Sequence, residues 1–211
     1  DFCLSRGLGD VYKRQPPEGM GERFSLAEAA AVFDFDRVNK AGARFDWDKL
    51  NWLNAQVLHD LDPGQVLDQL RPLWAEEEGW LDQASPDQAW LESLCSLIGP
   101  SLVTLRDGLD QARPFFRRPE LSEAALAQLQ SPGAREALQA LLELLGEGPL
   151  TLEQAQDLLT QAVTAAGVKK GVLMKTLRAA LLGSLQGPDL LSTWLLLQPS
   201  GEAAERIRRS L

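Results

Sequence analysis

Three stretches hold residues whose types and spacing suit chemistry with a polar partner. The first is Phe33 to His59, FDFDRVNKAGARFDWDKLNWLNAQVLH. It sets Trp47 and Trp52 among three Phe and the only His of the chain. Asn54 supplies both a donor and an acceptor, and Lys40, Arg44 and Lys49 suit phosphate. The same residues also describe a docking helix whose polar side chains are merely solvated. In the second stretch, Lys175 and Arg178 stand three apart and share a helix face. The turn Gln186-Gly187-Pro188 follows, ahead of a helix whose first N–H groups can meet an anion. A planar guanidinium can stack on an unstacked base or bind it bidentately. In the third, Arg113, Arg117 and Arg118 flank Phe115-Phe116, which is either a stacking platform or a loop packing its aromatics inward. Arg206, Arg208 and Arg209 close the chain, where a helix dipole also favours positive charge.

No catalytic constellation is visible. His59 has no nucleophile partner in sequence. Asp46-Trp47-Asp48 places carboxylates at a helix start, where they act as caps rather than as an acid/base pair. One His and two distant Cys, Cys3 and Cys95, make no zinc site and no disulfide framework, and they fit a reducing cytoplasm. No stretch reaches the ~20 apolar residues of a membrane span.

The 211 residues are enough for one domain or two small ones, and 45% hydrophobic with 24% charged residues is a globular balance. The net charge of −9 argues against a generally nucleic-acid-binding surface. Its distribution is uneven. Asp60 to Ala165 holds 6 Lys/Arg against 18 Asp/Glu, whereas Ala166 to Leu211 holds 7 against 3. An acidic body with a basic end is compatible with local RNA contact.

The elements that must carry these residues are all helical. Ser25 with Glu28 forms a capping box for Leu26–Val32, and Asp46 caps a helix with Leu50, Leu53, Val57 and Leu58 on one stripe. Asp62-Pro63 opens a helix to about Trp80, and Ser85-Pro86-Asp87 opens one to about Ile98. Gly99-Pro100 breaks the chain before a helix from Ser101 to about Arg113. Ser122 and Ser131-Pro132 start two further helices. Thr151 with Gln154 caps a helix of clean 3.6 period that ends at Gly167. Another runs from about Lys170 to Leu182 and stops at Gly183. Gly187-Pro188 starts the next, and Ser200 caps the last. Trp74, Trp80, Trp90, Phe115 and Phe116 are expected in the core.

The run from Pro16 resembles the bacterial glutamyl-tRNA synthetase family just after its catalytic core. Phe33, Asp34, Phe35, Arg37 and Val38, then Phe45, Asp46, Lys49, Leu50, Trp52, Leu53 and Asn54, carry the resemblance. Lys170 to Leu190, KGVLMKTLRAALLGSLQGPDL, is similar to the end of the same enzymes. The resemblance implies an all-α fold, a helical bundle or cage of the class I glutamyl-tRNA synthetase anticodon-binding type. It implies a junction segment at 16–62, a first helical subdomain at 63–118 and a second at 119–211. Residues 1–15 read as a non-native leader, because Asp10 to Gln15 resembles a translated sequencing adapter. It further implies that Arg178, Gly187 and Pro188 contact anticodon nucleotides, with Lys175 on the same face. Lys40, Arg44 and Asn54 become tRNA or inter-domain contacts. Ser101 and Thr160 fall where family members carry arginines. At Ser101 that arginine reads the last anticodon base, so its loss opens acceptance of tRNA(Gln) beside tRNA(Glu).

The His-x-Gly-His and Lys-Met-Ser-Lys-Ser-like signatures of class I synthetases do not occur here. The expectation is therefore a C-terminal fragment without catalytic residues, metal or cofactor of its own. ATP and Mg²⁺ belong to the parent catalytic domain, which becomes a partner. A cytoplasmic monomer that docks the anticodon arm of tRNA is expected. The alternative is a helical protein–protein scaffold without RNA binding.

Overall fold

The computed structural model describes residues 23–33, 45–77, 80–81 and 86–211. Among the described residues all regular structure is helical. The chain divides into two compact units, residues 1–56 and 57–211.

In the first unit, α1 (Leu26–Val32) opens on the expected capping box. The Ser25 Oγ accepts the Glu28 amide at 3.2 Å, and the Glu28 carboxylate accepts the Ser25 amide at 2.6 Å. α2 (Trp47–His59) begins with the Asp46 carboxylate accepting the Lys49 amide at 3.0 Å. Trp47 stays exposed, edge-on to Phe45 with ring centroids 4.6 Å apart.

The second unit continues through α3 (Pro63–Glu76), α4 (Gln88–Ile98), a 3₁₀ turn (Gly99–Ser101) and α5 (Asp107–Phe116). It then runs through α6 (Glu123–Leu129), α7 (Ala134–Leu144), α8 (Leu152–Ala166), α9 (Lys170–Leu182), α10 (Leu190–Leu197) and α11 (Glu202–Arg209). One core runs through the unit from Val66, Leu67, Leu70 and Trp74 to Trp194, Leu197 and Ile207. Hydrophobic burial on this scale dominates its stability. The tryptophans also carry hydrogen bonds between elements. Trp74 Nε1 donates to the Gly108 carbonyl at 3.2 Å, and Trp90 Nε1 donates to the Leu196 carbonyl at 3.0 Å, tying α4 to α10. Trp74, Trp80 and Trp90 all pack on Phe116, with centroids 4.9–5.6 Å apart. Trp74, Trp80 and Phe115 thus lie in the core as expected, and Trp90 and Phe116 pack half-buried against it.

α9 is the central strut, packing on α6, α7, α8, α10 and α11. It ends at Gly183, in the left-handed conformation (φ 68). The Gly183 carbonyl accepts the Ser122 amide at 2.8 Å, and a Cβ there would stand 2.3 Å from the Glu120 carbonyl. Only glycine fits that approach.

Four starts differ from expectation. The segment before α5 is loop until Asp107, because the Asp107 carboxylate accepts the amides of Val103 and Thr104 at 3.0 and 2.7 Å and closes a turn there. α7 and α11 start behind left-handed Gly133 and Gly201, past the expected serine and proline signals. α10 starts behind Asp189, whose carboxylate accepts the Ser192 amide at 2.8 Å. α3 stops at Glu76, short of Trp80.

Candidate nucleic-acid interface

Three of the residues expected to contact RNA come together at the end of α9. Arg178 lies one turn before that end, half-buried, and reaches across the loop to α10. Its Nη1 donates to the Gly187 carbonyl at 3.1 Å and to the Pro188 carbonyl at 2.8 Å. Gly187 sits at φ 138, and a Cβ on it would approach Leu182 Cδ1 to 3.0 Å. The loop is therefore pinned from both sides, by a packed leucine and by a cation on two carbonyls. A guanidinium has five N–H donors, and these two bonds consume the pair on Nη1. The Nε–H and both Nη2 hydrogens make no hydrogen bond among the described residues. That edge is the fork that matches a base edge or a phosphate bidentately.

Lys175, exposed, occupies the same face one turn earlier. The Asp189 cap changes one expectation. The Asp189 carboxylate takes the Ser192 amide, one of the first-turn amides of α10, so the cap competes there with an external anion. The signal was in the sequence, since Asp189 is a stronger N-cap than Gly187.

The other expected residues lie apart. Ser101 is on the α4–α5 connection, with its Oγ 2.8 Å from the Ile98 carbonyl and 2.6 Å from Gln111 Oε1. Thr160, on α8, donates to the Gln156 carbonyl at 2.9 Å. Asn54 is half-buried in α2 of the first unit. Lys40 and Arg44 lie outside the described residues.

The remaining basic clusters are occupied internally. Arg206 is buried and donates to the Leu181 and Pro114 carbonyls at 2.5 and 2.7 Å and to Glu202 at 3.1 Å. Glu202 also accepts from Arg118 at 3.0 Å. Arg208 and Arg209 both meet Glu205, at 3.8 and 2.8 Å. Arg113 lies 3.7 Å from Asp110 and over the Trp80 ring. Burial pulls the Glu202 carboxyl upward, yet the hydrogen bonds and charges of Arg118 and Arg206 outweigh it and hold the group below its ordinary value. Arg206 is lowered by burial, against the pull of Glu202.

A separate cavity of about 310 Å³ is lined by Leu58, His59, Val66, Cys95 and Pro100 among others. His59 Nε2 lies 2.9 Å from the Leu102 carbonyl, a tie between chain segments. Burial, with Glu92 adding to it, pushes the Cys95 thiol up to about 12, so Cys95 stays a neutral thiol at neutral pH. Among the described residues no three His, Cys, Asp or Glu side chains are grouped to hold a metal ion. No described helix is long and apolar enough to cross a membrane.

Residues 65–211 match the family described as an anticodon binding domain, and the chain belongs to that family. The chain is 62% identical over 196 residues to a glutamate–tRNA ligase of Synechococcus sp. strain RCC307, covering 93% of this chain and 41% of that protein. It is 57% identical over 198 residues to the glutamate–tRNA ligase of Prochlorococcus marinus strain MIT 9303, again covering 41% of it. The chain therefore spans about two fifths of the length of these relatives. Its fold matches the crystal structure of a glutamate tRNA ligase from Elizabethkingia meningosepticum in complex with its amino acid. The TM-score is 0.78 at 24% identity, over 97% of this chain and 38% of that one. The glutamate-tRNA synthetase of Elizabethkingia anophelis gives 0.71 at 24% identity, over 90% of this chain.

Proposed function

We propose that this chain binds the anticodon arm of tRNA(Glu) as part of a glutamate–tRNA ligase, with Arg178, Gly187 and Pro188 at the centre of the contact and Lys175 at its edge. The family match over residues 65–211 carries this reading. The open Nε–Nη2 edge of Arg178 supports it chemically, because a splayed base offers the paired acceptors that such an edge takes. Ser101, Lys40, Arg44 and Asn54 are peripheral contacts in this reading, and the Ser101 side chain extends acceptance to tRNA(Gln). The proposed division is a junction segment at 16–62 and two helical subdomains at 63–118 and 119–211. The parent activity joins glutamate to tRNA with ATP and Mg²⁺ held by a catalytic domain. This chain positions the tRNA for it, as a cytoplasmic monomer.

The test is equilibrium binding of the chain to tRNA(Glu), tRNA(Gln) and a non-cognate tRNA, with Arg178→Ala beside it. Preference for the first two, lost in the variant, supports the reading. Equal binding of all three, unchanged by the substitution, refutes it.

A further inference from the structure

Residues 158–188 contain Lys169, Lys170, Lys175 and Arg178 and no Asp or Glu. The rest of the chain holds the other 17 of 21 basic residues against all 30 acidic ones, a balance of −13. A positive island in an acidic protein concentrates the field that attracts a polyanion. Its lysines are also unspent. Lys169, Lys170 and Lys175 are exposed and make no ion pair or side-chain hydrogen bond among the described residues. The arginines at 113, 118, 206, 208 and 209, in contrast, all face carboxylates.

Lys170 and Lys175 lie on α9, and Lys169 precedes it as its N-cap residue. α9 buries Leu173, Thr176, Leu177 and Ala180 on its inner side. From Lys170 to Arg178 is eight residues, about 12 Å of helix at ~1.5 Å each. Gly171 lies on the outer stripe, four residues before Lys175, and a Cβ on it would meet nothing within 4 Å. Glycine weakens a helix relative to alanine. Nothing inside the protein requires the missing side chain, and its absence leaves room for a partner's backbone between the lysines. At the edge of the island Val168 packs on Gly133 of the α6–α7 turn. Arg135 and Glu136 of α7 follow there, one charge of each sign, so the lysines carry the net charge.

We propose that Lys169, Lys170 and Lys175 form a track for the RNA phosphodiester backbone leading to Arg178. The lysines hold phosphates of nucleotides that flank those meeting Arg178, Gly187 and Pro188. This rests on the tRNA-binding reading above. Phosphate contacts position a nucleic acid without reading its sequence, so the track sets affinity and Arg178 sets preference.

The test is a salt titration of tRNA binding by the full chain. It compares the wild type, the triple variant Lys169→Gln/Lys170→Gln/Lys175→Gln, and Arg106→Gln, a cation on the α4–α5 connection with no side-chain partner among the described residues. Each lost phosphate contact lowers the slope of log K against log salt by roughly 0.7–0.9. The triple variant is expected to lose about 2 in slope and at least ~10-fold in affinity at low salt. Its preference among tRNAs and its melting temperature stay unchanged, and Arg106→Gln behaves as wild type. A triple variant with wild-type slope and affinity overturns the track while leaving the tRNA reading standing. A loss of slope in Arg106→Gln equal to that of one lysine also overturns it, because binding is then a diffuse charge effect. A wild type that binds no tRNA removes both.

Discussion

Arg178 holds the carbonyl of Pro188 at 2.8 Å through Nη1, and with the same nitrogen it holds the carbonyl of Gly187. One side chain thus fixes the loop that it is proposed to serve with its other edge. Two consequences separate. Arg178→Lys keeps the charge but has no second edge, so tRNA affinity should fall ~10-fold or more while stability drops only about 1 kcal/mol. Binding and thermal melts measured on the same preparation check both numbers.

Gly187→Ala should destabilise the unit by about 1–3 kcal/mol, since φ 138 is costly for any residue with a Cβ and the new methyl crowds Leu182. Denaturant unfolding measures the loss. A neutral result contradicts the pinned loop.

Glu202 carries a pH signature. Its folded value lies below the ordinary 4.5, so it adds stability above that pH. That stability is lost as pH falls through the folded value. Below about pH 4.5 the wild type should lose melting temperature that Glu202→Gln does not lose over the same range. Parallel curves for the two proteins contradict the assignment.

Arg206→Ala leaves the carbonyls of Leu181 and Pro114 and the Glu202 carboxylate short of a donor. It should cost about 3–5 kcal/mol, the scale for removing one partner of a buried charged pair. Arg208→Ala, an exposed pair, should cost under about 1 kcal/mol. Side-by-side urea melts decide it.

Cys95 should resist thiol reagents at pH 8 in the native state, because burial shields its thiol and pushes it up to about 12. Labelling of a Cys3→Ser variant, followed with and without denaturant, shows the prediction directly. Rapid native labelling contradicts it.

Helix starts were legible where a side-chain oxygen sits three residues before the amide it accepts. Ser25, Asp62 and Thr151 all cap as their spacing indicates. The reading failed at α7 and α11, where Gly133 and Gly201 enter the helix from the left-handed region; no side-chain oxygen caps α7, and at α11 Ser200, one residue further out, takes only the Glu202 amide, at 3.4 Å. It failed at α5 because Asp107 serves amides before it rather than after it. The clustering of Arg178 with Gly187 and Pro188 was accessible, since nine or ten residues and one turn separate the partners. The role of Arg206 was not, because its acceptors are backbone carbonyls 25 and 92 residues away, which leave no trace in residue type. The carboxylate partners of the C-terminal arginines, by contrast, stand three or four residues earlier on the same helix, a spacing that the sequence does show.

The most direct measurement compares Arg178→Ala with wild type for the ratio of affinities between tRNA(Glu) and a tRNA(Glu) with an altered anticodon, at fixed salt. A wild-type preference for the native anticodon that collapses toward unity in the variant is the predicted result. A ratio near unity in both proteins, or an equal preference in both, contradicts the placement of anticodon recognition at Arg178.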